Sequence, residues 1–260
     1  MLAVLLYFLL PLFWLVVAST KSGDDLFSSF GLWFAHDLHL FQNIRDLFAV
    51  RTEDGGSYAV WIRNSALYSV TSAVLAALLA AAAGYGFARF SFRGREPLFW
   101  FVLGAVMVPT QALATPTFLL AAQLGLTNNP LSIILPCAVS PFGVYLMRIY
   151  AEGAIPAELL EAARLDGAGE FRIFWSIAFR LLAPGFVTVM VFAFVATWNN
   201  YFLPLIMLSE SKWYPLTVGI RQLGNTGILV GSLLAVAPMI LAFILLQRFW
   251  ESGLAAGSHR

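Results

Sequence analysis

The chain has 260 residues, 60% of them hydrophobic and 11% charged, with a formal net charge of +1. Soluble domains carry about 25% charged residues, so this composition excludes an ordinary soluble globular protein. It also excludes a disordered chain, which needs high charge and few aromatics, and a nucleic-acid binder that works by bulk release of counterions.

Asp, Glu, Lys and Arg are absent from five long runs: residues 1–20, 64–88, 97–147, 181–209 and 222–247. A helix of about 20 apolar residues crosses a hydrocarbon layer of about 30 Å. Four runs fit one helix each. The third is long enough for two and carries a turn signal in its middle, Gly125-Leu126-Thr127-Asn128-Asn129-Pro130. The runs therefore predict an all-α membrane protein with one domain, 1–260. Its six transmembrane helices are expected at 2–20, 64–88, 97–122, 130–149, 181–208 and 226–250. Continuously apolar runs, rather than alternating ones, argue against a β-barrel.

The first run differs from a signal peptide. No basic residue precedes it, it exceeds an ordinary apolar signal core, and no small-x-small cleavage site stands before Lys21. It is read as the first span, and the missing basic residues predict a native N-terminus longer than this chain. Orientation follows from the loop arginines. Arg89, Arg93 and Arg95 lie between the second and third spans. Arg148, Arg164, Arg172 and Arg180 are counted with the loop between the fourth and fifth, and Arg248 and Arg260 with the C-terminal tail. Lys21, Arg45, Arg51, Arg63, Lys212 and Arg221 are spread over longer loops on the other side. This bias places both termini and the loop 150–180 in the cytoplasm.

Pro109, Pro116, Pro136, Pro141, Pro184, Pro204 and Pro238 fall within the spans. They fit ordinary kinked packing, or kinked helices surrounding a pathway that opens and closes. Ala80-Ala81-Ala82-Ala83-Gly84 and Gly227-x-x-x-Gly231 let helices approach closely. Cys137 is the only cysteine, which excludes an intrachain disulfide and leaves a buried inert thiol as its reading. His36, Asp37 and His39 lack a convincing third ligand, so no metal site is expected.

The loop 150–180 is a long polar insertion between two spans. Pro156 suits a helix start, and Glu158 and Glu161 sit in the N-terminal half favoured by the dipole. Leu159, Ala162 and Ala163 share a face. Asp166-Gly167 stops the helix, and a second short helix is expected from Gly169 to Phe179. The pattern suits either a docking element or a capped helix packed on its own protein.

Glu161-Ala-Ala-x-x-Asp166-Gly167-Ala168 resembles the EAA loop of ABC importer permeases. Phe174-Trp175, Ile177 and Pro184 continue that family's pattern. Leu40-Phe-Gln-Asn43, Asn64-Ser65, Trp198-Asn199-Asn200-Tyr201 and Gly253-Leu254 extend the likeness over nearly the whole chain. The chain is similar to the second permease of carbohydrate importers of the maltose type. Two departures stand out: Phe179-Arg180 replaces a Leu-Pro, which puts the kink there in doubt, and Asn200 replaces an acidic residue.

The resemblance implies the type I ABC importer permease fold with a cytoplasmic EAA coupling loop. It implies a chain that is not itself an enzyme and binds no cofactor, with ATP and Mg at a partner ATPase. The coupling residues would be Glu161, Ala162, Ala163, Leu165, Asp166 and Gly167. Implied partners are an ATPase subunit dimer, a second homologous permease, an extracytoplasmic solute-binding protein facing the loops 21–63 and 209–226, and membrane lipid, with no nucleic acid. The implied location is a bacterial or archaeal cytoplasmic membrane. Independently, the chain has no Gly-x-x-x-x-Gly-Lys-Ser/Thr phosphate loop.

A solute path has to be built from polar residues in charge-free spans. Thr110, Gln111, Thr115 and Thr117, Tyr145, Thr197, and the group Trp198, Asn199, Asn200 and Tyr201 are the candidates. Amides, hydroxyls and rings suit a neutral sugar or polyol, and the same residues also serve as interhelical hydrogen bonds. An ion-coupled secondary transporter is the alternative, and the lack of ionisable residues inside the spans argues against it.

Overall fold

The computed structural model describes residues 2–257, with side chains for 4–244. Arg260 and the side chains of Arg248 and Leu254 lie outside the described residues. In chain order the helices are α1 (Leu2–Ser19), α2 (Asp25–Ser28), α3 (Leu40–Ala49), α4 (Tyr58–Arg89), α5 (Arg95–Gly104), α6 (Ala114–Gln123), α7 (Leu131–Cys137) and α8 (Pro141–Ala154). Then come α9 (Ala157–Leu165), α10 (Glu170–Ile173), α11 (Phe179–Leu181), α12 (Ala183–Trp198), α13 (Phe202–Met207), α14 (Leu216–Gly219) and α15 (Asn225–Gly257). No strand occurs among the described residues.

Three helical stretches are long and apolar enough to cross a membrane: Tyr58–Arg89, Leu131–Ala154 and Asn225–Ile244. A fourth arises if the bent pair Glu170–Leu181 and Ala183–Trp198 counts as one span. The side chains of α1 are mostly exposed from Val4 to Val16 and buried from Val17 onward. A helix apolar all round suits a hydrocarbon environment.

The expected single span 97–122 is broken. α5 ends at Gly104, a 3-10 turn covers Ala105–Met107, Val108 is extended (φ −80°, ψ 120°), and α6 begins only at Ala114. The cause is Pro109, whose ring drives the preceding residue out of the helical region. Pro116, by contrast, sits in the first turn of α6, where its missing N–H has no helical partner to lose. The expected span 181–208 is likewise interrupted between Trp198 and Phe202.

The chain divides into two compact units. One comprises Met1–Ala66 and Leu208–Leu241. Polar clamps organise it. Asn43 Nδ2 donates to the carbonyls of Ser19 (3.0 Å) and Lys21 (2.9 Å), closing the end of α1 onto α3. Lys21 is buried, and its Nζ donates to Ser29 Oγ (2.9 Å) and the Phe30 carbonyl (2.8 Å). Segment 208–223 is fastened to the start of α4. Trp61 Nε1 donates to the Ser211 carbonyl (2.9 Å), and Asn64 Nδ2 donates to the carbonyls of Lys212 (2.8 Å) and Tyr214 (3.0 Å). The Leu216 N–H donates to Ser65 Oγ (2.7 Å), and the Ser211 N–H donates to the Asp54 carboxylate. That bond, with a second from the Thr52 hydroxyl, holds the Asp54 carboxyl below its ordinary pKa.

The other unit comprises Leu67–Met207 and Ala242–Arg260. Its core is a stripe of small residues on α4, including Ala77, Ala80 and Ala81, packed with Met147 and Ala151 of α8 and Val189 of α12. Small residues allow backbones to meet. A Cβ on Gly84 would lie 2.5 Å from Met147 Cβ and 2.7 Å from the Arg148 nitrogen. A Cβ on Gly185 would lie 3.0 Å from the Tyr150 ring. Ser140 caps α8 by accepting from the Gly143 N–H (3.0 Å), with Pro141 in the first turn.

Candidate functional site

The core just described continues into the loop 150–180. Ile155, Leu160, Ala163, Ile173 and Ala178 belong to the same buried cluster as Ala81, Tyr85 and Met147. The loop is therefore rooted in α4 and α8.

Pro156, extended at ψ 139°, stands at the N-cap of α9, and Glu158 occupies the first turn. The C-terminus closes as a Schellman motif. The Gly167 N–H donates to the Arg164 carbonyl (3.0 Å), and the Ala168 N–H donates to the Ala163 carbonyl (3.0 Å). Gly167 has φ +79°, a conformation that glycine adopts without a Cβ penalty. Arg164 Nε then donates to Glu170 Oε1 (2.6 Å) across the turn, pinning α9 to α10 and raising the guanidinium pKa.

Burial separates Ala163 from Leu159 and Ala162, the residues read as sharing a face with it. Leu160 and Ala163 point inward, whereas Leu159 and Ala162 are exposed with Glu161. Tertiary packing selects the pair at i, i+3 that meets the core. This leaves an outward apolar surface of Leu159, Ala162, Leu165 and Phe171, with Leu165 90% exposed. Asp166 and Gly167 are exposed at its edge.

After α10 the chain makes a π turn, Phe174–Ala178, lined by aromatic contacts: Phe174–Trp175 at 5.1 Å and Trp175–Phe179 at 5.1 Å between ring centroids. The stretches Glu170–Leu181 and Ala183–Trp198 meet at 78°. The bend thus exists without a proline at position 180. It falls at Leu182, two residues before Pro184 in the first turn of α12.

Two arginines fix the loop's entry. Arg89, the last residue of α4, donates through Nη2 to the carbonyls of Ala151 (2.8 Å), Glu152 (3.1 Å) and Ile155. It satisfies the C-terminal carbonyls of α8 with a cation. Arg148 Nη2 donates to Glu96 Oε1 (2.8 Å), and its Nε donates to Glu152 Oε1 (3.0 Å). Its guanidinium lies 4.0 Å from the Phe99 ring centroid. Arg148 holds the Glu96 carboxyl below its usual range. Sequence reasoning missed both ties. A basic residue in the last turn of α4 was the available signal for the first.

The solute-path candidates are more scattered. Thr110 and Gln111 are exposed in the turn that breaks the third run. Tyr145 on α8 stacks on Phe99 (6.3 Å, 25°). Trp198 is buried and stacks on Phe194 (5.7 Å, 24°). Asn199 is exposed and donates back to the Val195 carbonyl (2.9 Å). Asn200 joins α13 to α7, accepting from the Leu203 N–H (3.3 Å) and reaching Cys137 Sγ (3.6 Å). Thr197 is buried and Tyr201 half-buried.

Residues 73–255 match the family of binding-protein-dependent transport system inner membrane components. The arabinooligosaccharides transport system permease protein AraQ of Bacillus subtilis is 35% identical, with 97% of this chain and 90% of that protein aligned. The lactose transport system permease protein LacG of Rhizobium radiobacter is 31% identical over 94% and 88%. The fold matches the crystal structure of a bacterial ABC transporter involved in the import of the acidic polysaccharide alginate. Its TM-score is 0.80 at 22% identity, covering 95% of this chain and 92% of that one. The chain belongs to the binding-protein-dependent transport inner membrane components, the multi-pass permease subunits of ABC importers.

Proposed function

We propose that this permease carries a sugar or related polyol, and that α9 with its Schellman turn is the element on which a separate ATPase subunit docks. The observation that carries the reading is the split character of α9. Leu160 and Ala163 anchor it in the membrane unit's core, while Leu159, Ala162 and Leu165 face outward beside Glu161, Asp166 and Gly167. An exposed apolar strip next to a fixed turn is what a docking helix requires. The carbohydrate class is supported by the relatives named for arabinooligosaccharide and lactose transport.

In this reading the chain spans the membrane six times, with both termini and the loop 150–180 in the cytoplasm. ATP and Mg act at the partner ATPase dimer, and a second homologous permease completes the path. A binding protein delivers solute to loops 21–63 and 209–226. Thr110, Gln111, Tyr145 and Trp198 to Tyr201 contribute to the path.

The test is Gly167→Trp and Glu161→Lys in the assembled importer. Gly167 has open space around its Cα and a positive φ, so Trp there both strains the turn and obstructs the docking face. Both substitutions are expected to abolish binding-protein-stimulated ATP hydrolysis and uptake. Unchanged activity in both would refute the assignment. A thermal-shift screen of the cognate binding protein against sugars and polyols identifies the solute.

A further inference from the structure

We infer that Arg89 is a positioning residue that makes α4 move together with the coupling loop. The inference rests on the docking reading of α9 and goes beyond it, because Arg89 lies on another helix and does not belong to the docking face.

Three observations carry it. First, Arg89 Nη2 gathers the carbonyls of Ala151, Glu152 and Ile155, which are the last turn of α8 and the residue that follows it. One guanidinium therefore sits at the point where α8 becomes the loop, two residues before α9 starts. Second, its Nε is buried and has no hydrogen-bond partner among the described residues, so the donors on Nη2 carry the bonds found. Third, five residues earlier in the same helix, Gly84 lets the α4 backbone meet Met147 and Arg148 directly. α4 and α8 are thus joined at two levels, one steric and one polar. A force applied to α9 reaches Ile155 along a short, capped connection. From there it reaches α4 through charge-assisted bonds, which are stronger than neutral ones.

Glutamine or methionine at position 89 keeps side-chain bulk but removes the cation. Lysine keeps the charge and can reach a subset of the carbonyls. The complete importer in proteoliposomes carries Arg89→Met, Arg89→Lys or the control Gly167→Trp. Measured are ATPase co-purification, stimulated hydrolysis, and solute taken up per ATP hydrolysed. Arg89→Met is expected to retain the ATPase subunit and lower uptake per ATP by about tenfold, with partial rescue by Arg89→Lys. A merely structural role would reduce hydrolysis and uptake in proportion and leave their ratio unchanged, and that result overturns the inference. Gly167→Trp without effect on either activity overturns the docking reading itself, and this inference with it.

Should Arg89→Met fail to assemble, the tie is read in the otherwise native complex. Spin labels on Ser91 and Glu158, in a Cys137→Ala background, report the separation of the α4 end from α9 with and without trapped nucleotide. A separation constant within about 2 Å, the size of ordinary interfacial helix shifts, supports concerted motion. A larger change overturns it.

Discussion

Gly84→Ala is the sharpest test of how the membrane unit is packed. The added Cβ would lie 2.5 Å from Met147 Cβ, 2.7 Å from the Met147 carbonyl carbon and 2.7 Å from the Arg148 nitrogen. Two of these three neighbours are backbone, so no rotamer change relieves the clash. Bringing them to normal contact requires α4 and α8 to separate by about 1 Å, and overpacking of this kind costs about 1–3 kcal/mol. The glycine-to-alanine gain in helix propensity, up to about 1 kcal/mol, offsets part of that. Gly86, two residues on in the same helix, has nothing within 4 Å of its ideal Cβ. It is therefore the matched control, in which the propensity gain stands alone. Thermal unfolding of the two variants in one detergent or nanodisc system should give shifts of opposite sign. Gly84→Ala falls and Gly86→Ala holds or rises, by a few degrees per kcal/mol for a chain of this size. Equal shifts, or a higher Tm for Gly84→Ala, would refute the backbone contact between α4 and α8.

Two further outcomes concern the clamps on segment 208–223. Asn64→Leu leaves the Lys212 and Tyr214 carbonyls without their side-chain donor, at about 1 kcal/mol for each part-buried hydrogen bond lost. Tryptic cleavage after Lys212 should accelerate, and an unchanged rate would remove Asn64 as the clamp. Asp54 has its pKa lowered chiefly by the Ser211 N–H. Its contribution is fully present above the ordinary aspartate value of 3.8 and is lost only as pH falls through the lower folded value. Hydrogen exchange at Ser211, corrected for intrinsic rates, should stay slow from neutral pH down to that value. Asp54→Ala should expose it throughout, and protection that titrates above pH 3.8 contradicts the bond.

Apolar runs revealed most helices because a hydrocarbon layer forces long uncharged helical segments. The break at Val108–Leu113 escaped that logic. Its residues are as uncharged as their neighbours, and only Pro109 signalled it. The turn at Gly167 was legible because Asp-Gly chemistry is local. The face of α9 was not, because Leu159 and Leu160 are equally apolar and only the partner surface of Ile173 and Ala178 decides between them. Charge counting by position treated Arg89 and Arg148 as free cytoplasmic cations. Each is in fact bonded to a group 52 or more positions away in sequence, a pairing that no local pattern encodes. The solute-path candidates show the same limit. Asn200 serves as a bridge to Cys137 and a cap for α13, roles invisible without the fold.

The π turn at Phe174–Ala178 sets a rotational phase. Such a turn accommodates one residue more than α-helical geometry allows. Deleting one residue there would restore α-helical spacing and leave everything downstream in nearly the same phase, whereas losing a second residue would rotate it by about 100°. With the second loss, Gly185 would swing away from Tyr150, and Val189 would leave the position where it meets Gly143. The aromatic elbow thus works like a spare link in a timing chain. It holds one residue of slack while the small-residue side of α12 stays timed to the helix it meshes with, so a one-residue deletion in this segment should be tolerated far better than a two-residue deletion.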